Sequence, residues 1–270
     1  MPELPEVEIT RRGIEPFVLG KTVTGVVVRN PKLRQRVPRN IARLVVGQRV
    51  KNLRRRGKYL LFDCDAGSLI VHLGMSGSLR VVEPRLPPRK HDHLDLVFGG
   101  SALRLRDPRR FGVVLWSRGD SSRHPLLARL GVEPLGEEFS PEFLFRITRG
   151  RNVGIKQLLM NAGVVVGVGN IYANESLFTA GIHPRVRAGR LTRTRCARLV
   201  NAVRETLHAA IAAGGSSLRD FVHSDGASGY FQQHYYVYGR AALPCRVCGS
   251  RIRVARMGQR SSFYCSTCQT

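Results

Sequence analysis

The chain opens Met1-Pro2-Glu3-Leu4-Pro5-Glu6-Val7-Glu8, residues whose types suit covalent chemistry at carbon. Removal of Met1, usual when a small residue follows, would leave Pro2 with a free secondary amine. An α-amino group titrates near about 8, against about 10.4 for lysine, so near neutral pH far more of it is unprotonated and nucleophilic. A secondary amine that condenses with an aldehyde-like carbon gives an iminium, a fixed cation that acts as an electron sink. Glu3 offers an adjacent carboxyl that can protonate a departing oxygen or hold that cation, and Glu6 lies one helical turn on. The plainer reading is a helix start, in which proline pre-sets φ and the acids complement the helix dipole. These eight residues alone favour the plainer reading, so the remaining chain has to decide.

Further chemistry-bearing residues lie at turns. Arg54-Arg55-Arg56-Gly57-Lys58 precedes a strand and puts Lys58 at its mouth, where it can hold a phosphate, assist proton transfer, or simply be a solvated edge charge. Gly74-Met75-Ser76-Gly77-Ser78 and Asp107-Pro108-Arg109-Arg110-Phe111-Gly112 are glycine-flanked loops carrying Met, Phe and arginines. Proteins that extract a base insert apolar wedges between base steps. Core packing of Met75 and Phe111 is the alternative, and the flanking glycines, which allow close backbone approach, weigh against it. Val164-Val165-Val166-Gly167-Val168-Gly169-Asn170 is a glycine turn into a helix N-terminus, a place suited to phosphate.

Cys245-x2-Cys248 and Cys265-x2-Cys268 form the strongest local signal. Four thiolates at this spacing match a closed tetrahedral zinc site that leaves no position for water, hence a structural one. Arg251, Arg253, Arg256 and Arg260 lie between the pairs, with Arg260 near the expected tip of a basic hairpin. Cys64 and Cys196 stand alone in apolar contexts and read as buried structural thiols.

The elements that must position these residues follow from periodicity. Residues 3–18 read as a helix turning Leu4, Val7, Ile14 and Phe17 toward a core, with Gly20 as its stop. Short branched runs at 23–28, 59–63, 69–73, 79–82, 94–98, 103–105 and 113–116 read as strands of an antiparallel sandwich or barrel. A short helix at 126–130 precedes a hinge at 131–150, followed by helices at 155–161, 171–180 and 193–213, the last with Leu199, Val203, Leu207 and Ile211 in register. The fold class is α+β, with divisions expected at 1–131, 132–235 and 236–270.

The 270 residues carry 44 Lys and Arg against 19 Asp and Glu, a net charge of +25. Only six of the basic residues are lysine. Arginine suits bidentate phosphate contacts, and this balance reads as a nucleic-acid surface. No apolar run reaches the roughly 20 residues that span a bilayer, and Glu3, Glu6 and Glu8 stand where a signal peptide would be basic and then apolar. The expectation is a soluble intracellular protein.

Taken together, PELPEVE at 2–8, KYLL at 58–61, HLGMSGSLR at 72–80, KHDH at 90–93, DPRRFG at 107–112, VVGVGNIYANESLF at 165–178, SDGASGYF at 224–231 and the cysteine set closely resemble the bacterial formamidopyrimidine-DNA glycosylases. The resemblance covers essentially the whole chain. It implies an N-terminal β-sandwich with a catalytic helix, a helix-two-turn-helix domain and a zinc finger carrying one structural Zn2+, acting as a monomer on damaged double-stranded DNA in the bacterial cytoplasm. Carried over by position, it implies Pro2 as nucleophile, Glu3 as acid, Lys58 as proton donor in β-elimination and Arg260 in δ-elimination. It places His91, Arg110 and Arg151 on DNA, Lys156 and Asn170 on phosphates, and Met75, Arg109 and Phe111 in the void left by the extruded base. Arg151 stands where some members carry lysine. The loop near Ser217 to Tyr230 is the expected lesion cover.

Two rivals differ in substrate or class. The endonuclease VIII branch uses the same N-terminal proline on oxidised pyrimidines, but typically has glycine where this chain has Leu4. A non-catalytic zinc-finger DNA-binding protein explains the charge and the cysteines, but not the gathering of Glu3, Glu6 and Lys58 about a proline. The charge also sets a measurable expectation: duplex affinity falls steeply with salt, each neutralised phosphate adding about 0.9 to the log–log slope. A binding constant flat between low and high salt in a fluorescence titration contradicts it.

Overall fold

Val7, Ile14 and Val18 repeat at helical spacing, and all three are buried on one side of α1 (Leu4–Val18). This is one element of a computed structural model that describes residues 1–215 and 235–270. Val18, and not the expected Phe17, closes the apolar stripe. Phe17 is 40% exposed with the Lys21 ammonium 5.9 Å from its ring centre. Counting three residues on from Ile14 picked the phenylalanine, whereas the helix buries the residue four on.

The described chain forms two compact units. The first comprises Met1–Ala128, joined by residues 213–215. In it, α1 and the short α2 (Ile41–Val45) accompany eight strands: β1 (Gly25–Val28), β2 (Asn52–Arg56), β3 (Tyr59–Asp63), β4 (Gly67–His72), β5 (Ser78–Val82), β6 (Asp92–Phe98), β7 (Ser101–Arg106) and β8 (Val113–Arg118). They make two antiparallel sheets of order β1-β6-β7-β5 and β2-β3-β4-β8. Leu60 and Phe62 of β3, Leu69 and Val71 of β4, Leu94 and Leu96 of β6, and Leu103 and Leu105 of β7 alternate into one core with Val7, Ile14 and Val18. This is the sandwich pattern of inward residues at every second position, each fully buried leucine contributing roughly 2 kcal/mol. Strand β2 is absent from the sequence reading because its Leu-Arg-Arg-Arg run reads as a charged loop. Only Leu53 faces inward, and pairing with β3 makes it a strand.

The short α3 (Pro125–Ala128) ends the first unit. The second comprises Arg129–Ala212 and residues 235–270. The stretch expected to be a hinge holds a helix, α4 (Pro141–Thr148). Ser140 caps it, its Oγ accepting from Phe143 N at 3.0 Å, and Pro141 occupies the first turn. Next come α5 (Ile155–Leu159), α6 (Asn170–Thr179) and α7 (Arg193–Ala212), then the antiparallel pair β9 (Arg253–Met257) and β10 (Arg260–Tyr264). Residues 171–178 of α6 are all buried, marking the unit's central helix. On α7, Leu199, Val203 and Leu207 are buried as expected, with Ala210 in place of Ile211. Cys196 is fully buried, while Cys64 is partly so. Among the described residues no helix is long and apolar enough to cross a membrane.

How α1 sits on the sandwich follows from one carboxylate. Glu8 accepts from Arg11 and Arg12 on its own helix and from Arg55 Nε of β2 at 3.2 Å, while Arg11 donates to the Leu53 carbonyl at 3.3 Å. Burial raises the Glu8 pKa, but the hydrogen bonds from Arg11 and Arg12 and the Arg11 and Arg55 charges outweigh it and hold the group below the usual carboxylate range. A carboxylate with a depressed folded pKa contributes stability that is present above its unfolded value and lost as pH falls through the folded one. Glu8→Gln is therefore expected to lower stability by roughly 1 kcal/mol at pH 7, with the deficit vanishing as thermal melts are taken below the carboxylate range. An equal deficit at all pH values contradicts the assignment.

Candidate active site

The N-terminal residues are held at a helix start. Glu3 is the N-cap of α1 and donates its backbone N–H to Glu6 Oε2 at 2.8 Å, one limb of a capping box. Glu6 is fully buried and serves the cap; Pro2 and Glu3 are buried beside it. The pairings of α1 with β2 set the direction of this start. Glu8 lies by Arg55 and Arg11 by Leu53, so the helix runs opposite to β2, and its first turn is aimed past Arg56 toward the β2–β3 turn. That turn is Gly57-Lys58, flanked by the Arg56–Tyr59 pair, with Gly57 at φ +57°. Gly215, at φ +76°, runs against the same helix. A Cβ there would meet Ile9 Cδ1 at 3.0 Å and Glu6 Oε1 at 3.4 Å.

His72, which sequence reasoning did not single out, belongs to this group. It pairs with Tyr59 across β3 and β4, ring centres 4.8 Å apart, and its Nδ1 accepts from Gly74 N at 2.9 Å. Burial, then the charges of Lys58 and Arg34, lowers its pKa to about 4. The imidazole is therefore neutral at physiological pH, with its proton on Nε2. Its place at the end of a strand, just before the Gly74 loop, was the available signal.

The two glycine-flanked loops lie side by side, because a Cβ on Gly74 would fall 2.5 Å from the Phe111 carbonyl carbon. Phe111 is 41% exposed and so is not core packing. The Arg109 guanidinium carbon stands 5.0 Å from its ring centre, and Met75 is half-buried. Arg110 is exposed at φ +57° and His91 is half-buried at φ +76°. Non-glycine residues in this region carry strain and cluster at functional sites.

In the second unit, Arg151 follows α4, its N–H donating to Thr148 O at 3.1 Å and its carbonyl accepting from Gly189 N at 2.9 Å. Asn170 begins α6 behind the N-cap Gly169, and its Oδ1 is buried with no hydrogen-bond partner. Lys156 of α5 is 1% exposed, and its ammonium donates to Ser261 O at 2.8 Å and Ser262 Oγ at 2.7 Å. The lysine thus pins β10, whose first residue is Arg260, exposed beside the Gly258-Gln259 tip. Asn174 Oδ1 accepts from Phe263 N at 2.9 Å, a second tie from α6. The expected lesion-covering loop, Ser217 to Tyr230, lies outside the described residues.

The sulfurs of Cys245, Cys248, Cys265 and Cys268 all lie within 4.8 Å of one another, with Cys245–Cys268 at 3.9 Å and Cys248–Cys265 at 3.4 Å. A tetrahedral ion with Zn–S bonds of about 2.3 Å requires sulfur separations near 3.8 Å, so the donor set fits one zinc ion.

Comparison with known proteins accounts for this arrangement. The formamidopyrimidine-DNA glycosylase N-terminal domain model matches residues 1–114, the H2TH domain model of the same enzymes matches 130–222, and a zinc finger found in FPG and IleRS matches 242–270. A formamidopyrimidine-DNA glycosylase of Aromatoleum aromaticum is 62% identical, over 100% of this chain and 99% of its own. The crystal structure of MutM (FPG) from Thermus thermophilus superposes with TM-score 0.90 at 42% identity, covering 99% of this chain and 98% of the other. Lactococcus lactis Fpg in complex with DNA containing an abasic site superposes with TM-score 0.92 at 32% identity, over 99% of both chains. With the sandwich, the helical domain and the cysteine cluster all matched, the chain belongs to the formamidopyrimidine-DNA glycosylase family.

Proposed function

We propose that this chain is a bifunctional DNA glycosylase and AP lyase of base-excision repair, which removes oxidised purines such as 8-oxoguanine and formamidopyrimidines from duplex DNA. The observation that carries the reading is the direction of α1. Pairing of Glu8 with Arg55 aims the Pro2-Glu3 helix start at the turn bearing Lys58, so a nucleophile, an acid and a second proton donor belong to one framework.

The chemistry then follows from the groups. A duplex hides C1′, so the damaged nucleotide is flipped out at a cost of a few kcal/mol, least for damaged or mispaired bases. Met75, Arg109 and Phe111 fill the space it leaves. The Pro2 nitrogen, freed by loss of Met1, attacks C1′, and the C1′–N bond to the base breaks as the departing base takes up a proton. Glu3 then protonates the ring oxygen O4′, whose bond to C1′ breaks to open the sugar and leave an iminium between C1′ and the Pro2 nitrogen. The resulting iminium withdraws electrons and acidifies the C2′ proton. Loss of that proton expels the 3′ phosphate with Lys58 as donor, and a second elimination assisted by Arg260 expels the 5′ phosphate. His91, Arg110 and Arg151 bind the duplex, and Lys156 and Asn170 contact phosphates. The tie from Lys156 to β10 adds a second task for that side chain, holding the strand that starts at Arg260. Zinc supplies no step; its four thiolates hold the hairpin. The enzyme acts as a monomer in the bacterial cytoplasm. Leu4 and the intact Asp107–Gly112 loop support the purine enzyme over the endonuclease VIII branch.

Borohydride trapping on two duplexes, one with 8-oxoguanine opposite cytosine and one with an oxidised pyrimidine, is expected to give a covalent adduct on the purine lesion that maps to Pro2. Adduct mainly on the pyrimidine moves the chain to the sister branch, and an active preparation whose intact mass retains Met1 excludes Pro2. Lys58→Ala is expected to slow strand cleavage roughly a hundredfold, and Arg260→Ala to stop the products at β-elimination on a denaturing gel. For the metal, native mass spectrometry should count one zinc ion per chain. Replacing the buried Cys265 with serine should abolish both zinc and duplex binding, and full duplex affinity in a zinc-free protein would refute a structural role.

A further inference from the structure

The two loops that carry Met75 and Phe111 are two of the three places where the chain crosses between the two sheets, the third being the β1–β2 connection. β4 leaves one sheet at His72 and β5 enters the other at Ser78; β7 leaves that sheet at Arg106 and β8 returns at Val113. Because β4 pairs with β8 and β5 with β7, these two crossings run alongside each other. Asp107 is the first residue of the second of them, and it is fully buried.

Its hydrogen bonds reach both loops and the start of β6. Oδ1 accepts from Ser76 Oγ at 3.2 Å, on the crossing that bears Met75. Oδ2 accepts from Gly112 N at 2.7 Å, directly after Phe111. The Asp107 carbonyl accepts from Arg110 N at 3.2 Å and stands 2.9 Å from His93 Nε2, while its N–H donates to the His91 carbonyl at 3.0 Å. His91 and Arg110 are the described non-glycine residues of this unit with positive φ, and both bond to the Asp107 backbone. Such conformations persist only where the surroundings over-determine them. A side chain pushed between stacked bases recoils if its loop gives way, so a wedge needs support of this kind.

We propose that Asp107 is the positioning residue that makes Met75, Arg109 and Phe111 a single rigid wedge, by bonding Ser76 on one crossing and Gly112 on the other. The inference rests on the wedge reading of these three side chains and adds to it the group that sets their stiffness. Asp107 touches no reacting atom. Its effect is on getting the nucleotide out of the duplex, and the chemistry at Pro2 is indifferent to it once the sugar is accessible.

The test uses the full chain and three variants. Ser76→Ala cuts only the bond between crossings, Asp107→Ala cuts both, and Asp107→Asn keeps an acceptor for Gly112 and a donor for the Ser76 hydroxyl. Single-turnover excision from an 8-oxoguanine duplex should fall by about tenfold or more in Ser76→Ala and Asp107→Ala, as for a small misplacement away from the chemistry, and recover largely in Asp107→Asn. Borohydride trapping on a single-stranded abasic oligonucleotide, which has no stack to open, should stay within about twofold of the wild type. Combined with Phe111→Ala, Asp107→Ala should add little further loss, since the wedge it steadies is already gone; multiplied losses would overturn the proposal. Amide exchange across residues 74–77 and 109–112 should quicken together in Ser76→Ala, and unchanged exchange in both loops would also overturn it. Should Asp107→Ala not fold, Ser76→Ala alone decides. If Met75→Ala and Phe111→Ala excise at the wild-type rate while exchange quickens, the wedge reading has failed, and the catalytic part of the inference falls with it while the lock between the loops stands.

Discussion

The Glu8 carboxylate, held by guanidinium groups of Arg11, Arg12 and Arg55, is the interaction on which the first unit's geometry depends. An amphipathic helix packed by Val7, Ile14 and Val18 alone could slide or turn end for end on an apolar sheet face, since burial is non-directional. The cross-link from Glu8 to Arg55, with Arg11 reaching the Leu53 carbonyl, fixes both its register and its polarity. A residue at the very end of a chain has few contacts of its own and is ordered only where the next element is anchored. The position of Pro2 is therefore inherited from ion pairs one to two turns further along the helix.

The second unit solves a different problem with the same means. A two-stranded hairpin is marginal by itself, and β9 and β10 bury little: Val254 is 52% exposed, and among the described residues the local cluster has Phe178, Val237, Cys245, Ile252 and Cys265 as its buried members. Zinc supplies one fixed point. Buried polar side chains supply the others: the Lys156 ammonium on Ser261 and Ser262, Asn174 on Phe263 N, and Glu175, whose carboxylate accepts from the N–H groups of Tyr236, Val237 and Tyr238. Burial raises the Glu175 pKa against the opposing effect of those three bonds. Metal and anchors together give the exposed tip beside Arg260 a defined position.

Much of this was legible in the chain. Branched runs gave seven of the eight sandwich strands, helical spacing gave α1, α5, α6 and α7, and cysteine spacing gave the metal cluster. The failures have local causes. β2 is a strand by pairing and not by composition, since arginines fill its solvent face. α2 is too short for a periodic signal, and α4 was lost although Ser140-Pro141-Glu142 is a helix-start sequence. The roles of Asn174 and Glu175 were illegible for another reason. A buried polar residue is chosen by partners distant in sequence, as Glu175 is by residues 236–238 and Asn174 by Phe263, and no periodicity announces such a pairing.

The crossings between the sheets show where that illegibility concentrates. In a folding core apolar groups go inside and charges outside, and the Asp107–Gly112 loop inverts the rule: the aspartate is fully buried while the phenylalanine stands 41% exposed under an arginine. Neither placement follows from the stability of the loop alone, because a buried carboxylate costs free energy until it is fully hydrogen-bonded, and an exposed aromatic ring forgoes its burial. The two become consistent when the carboxylate is regarded as the internal support of an external apolar surface. The hydrogen bonds from Ser76 and Gly112 to that side chain give the loops a directional stiffness that packing of small residues cannot. A loop built for folding alone would have exchanged the positions of the two residue types.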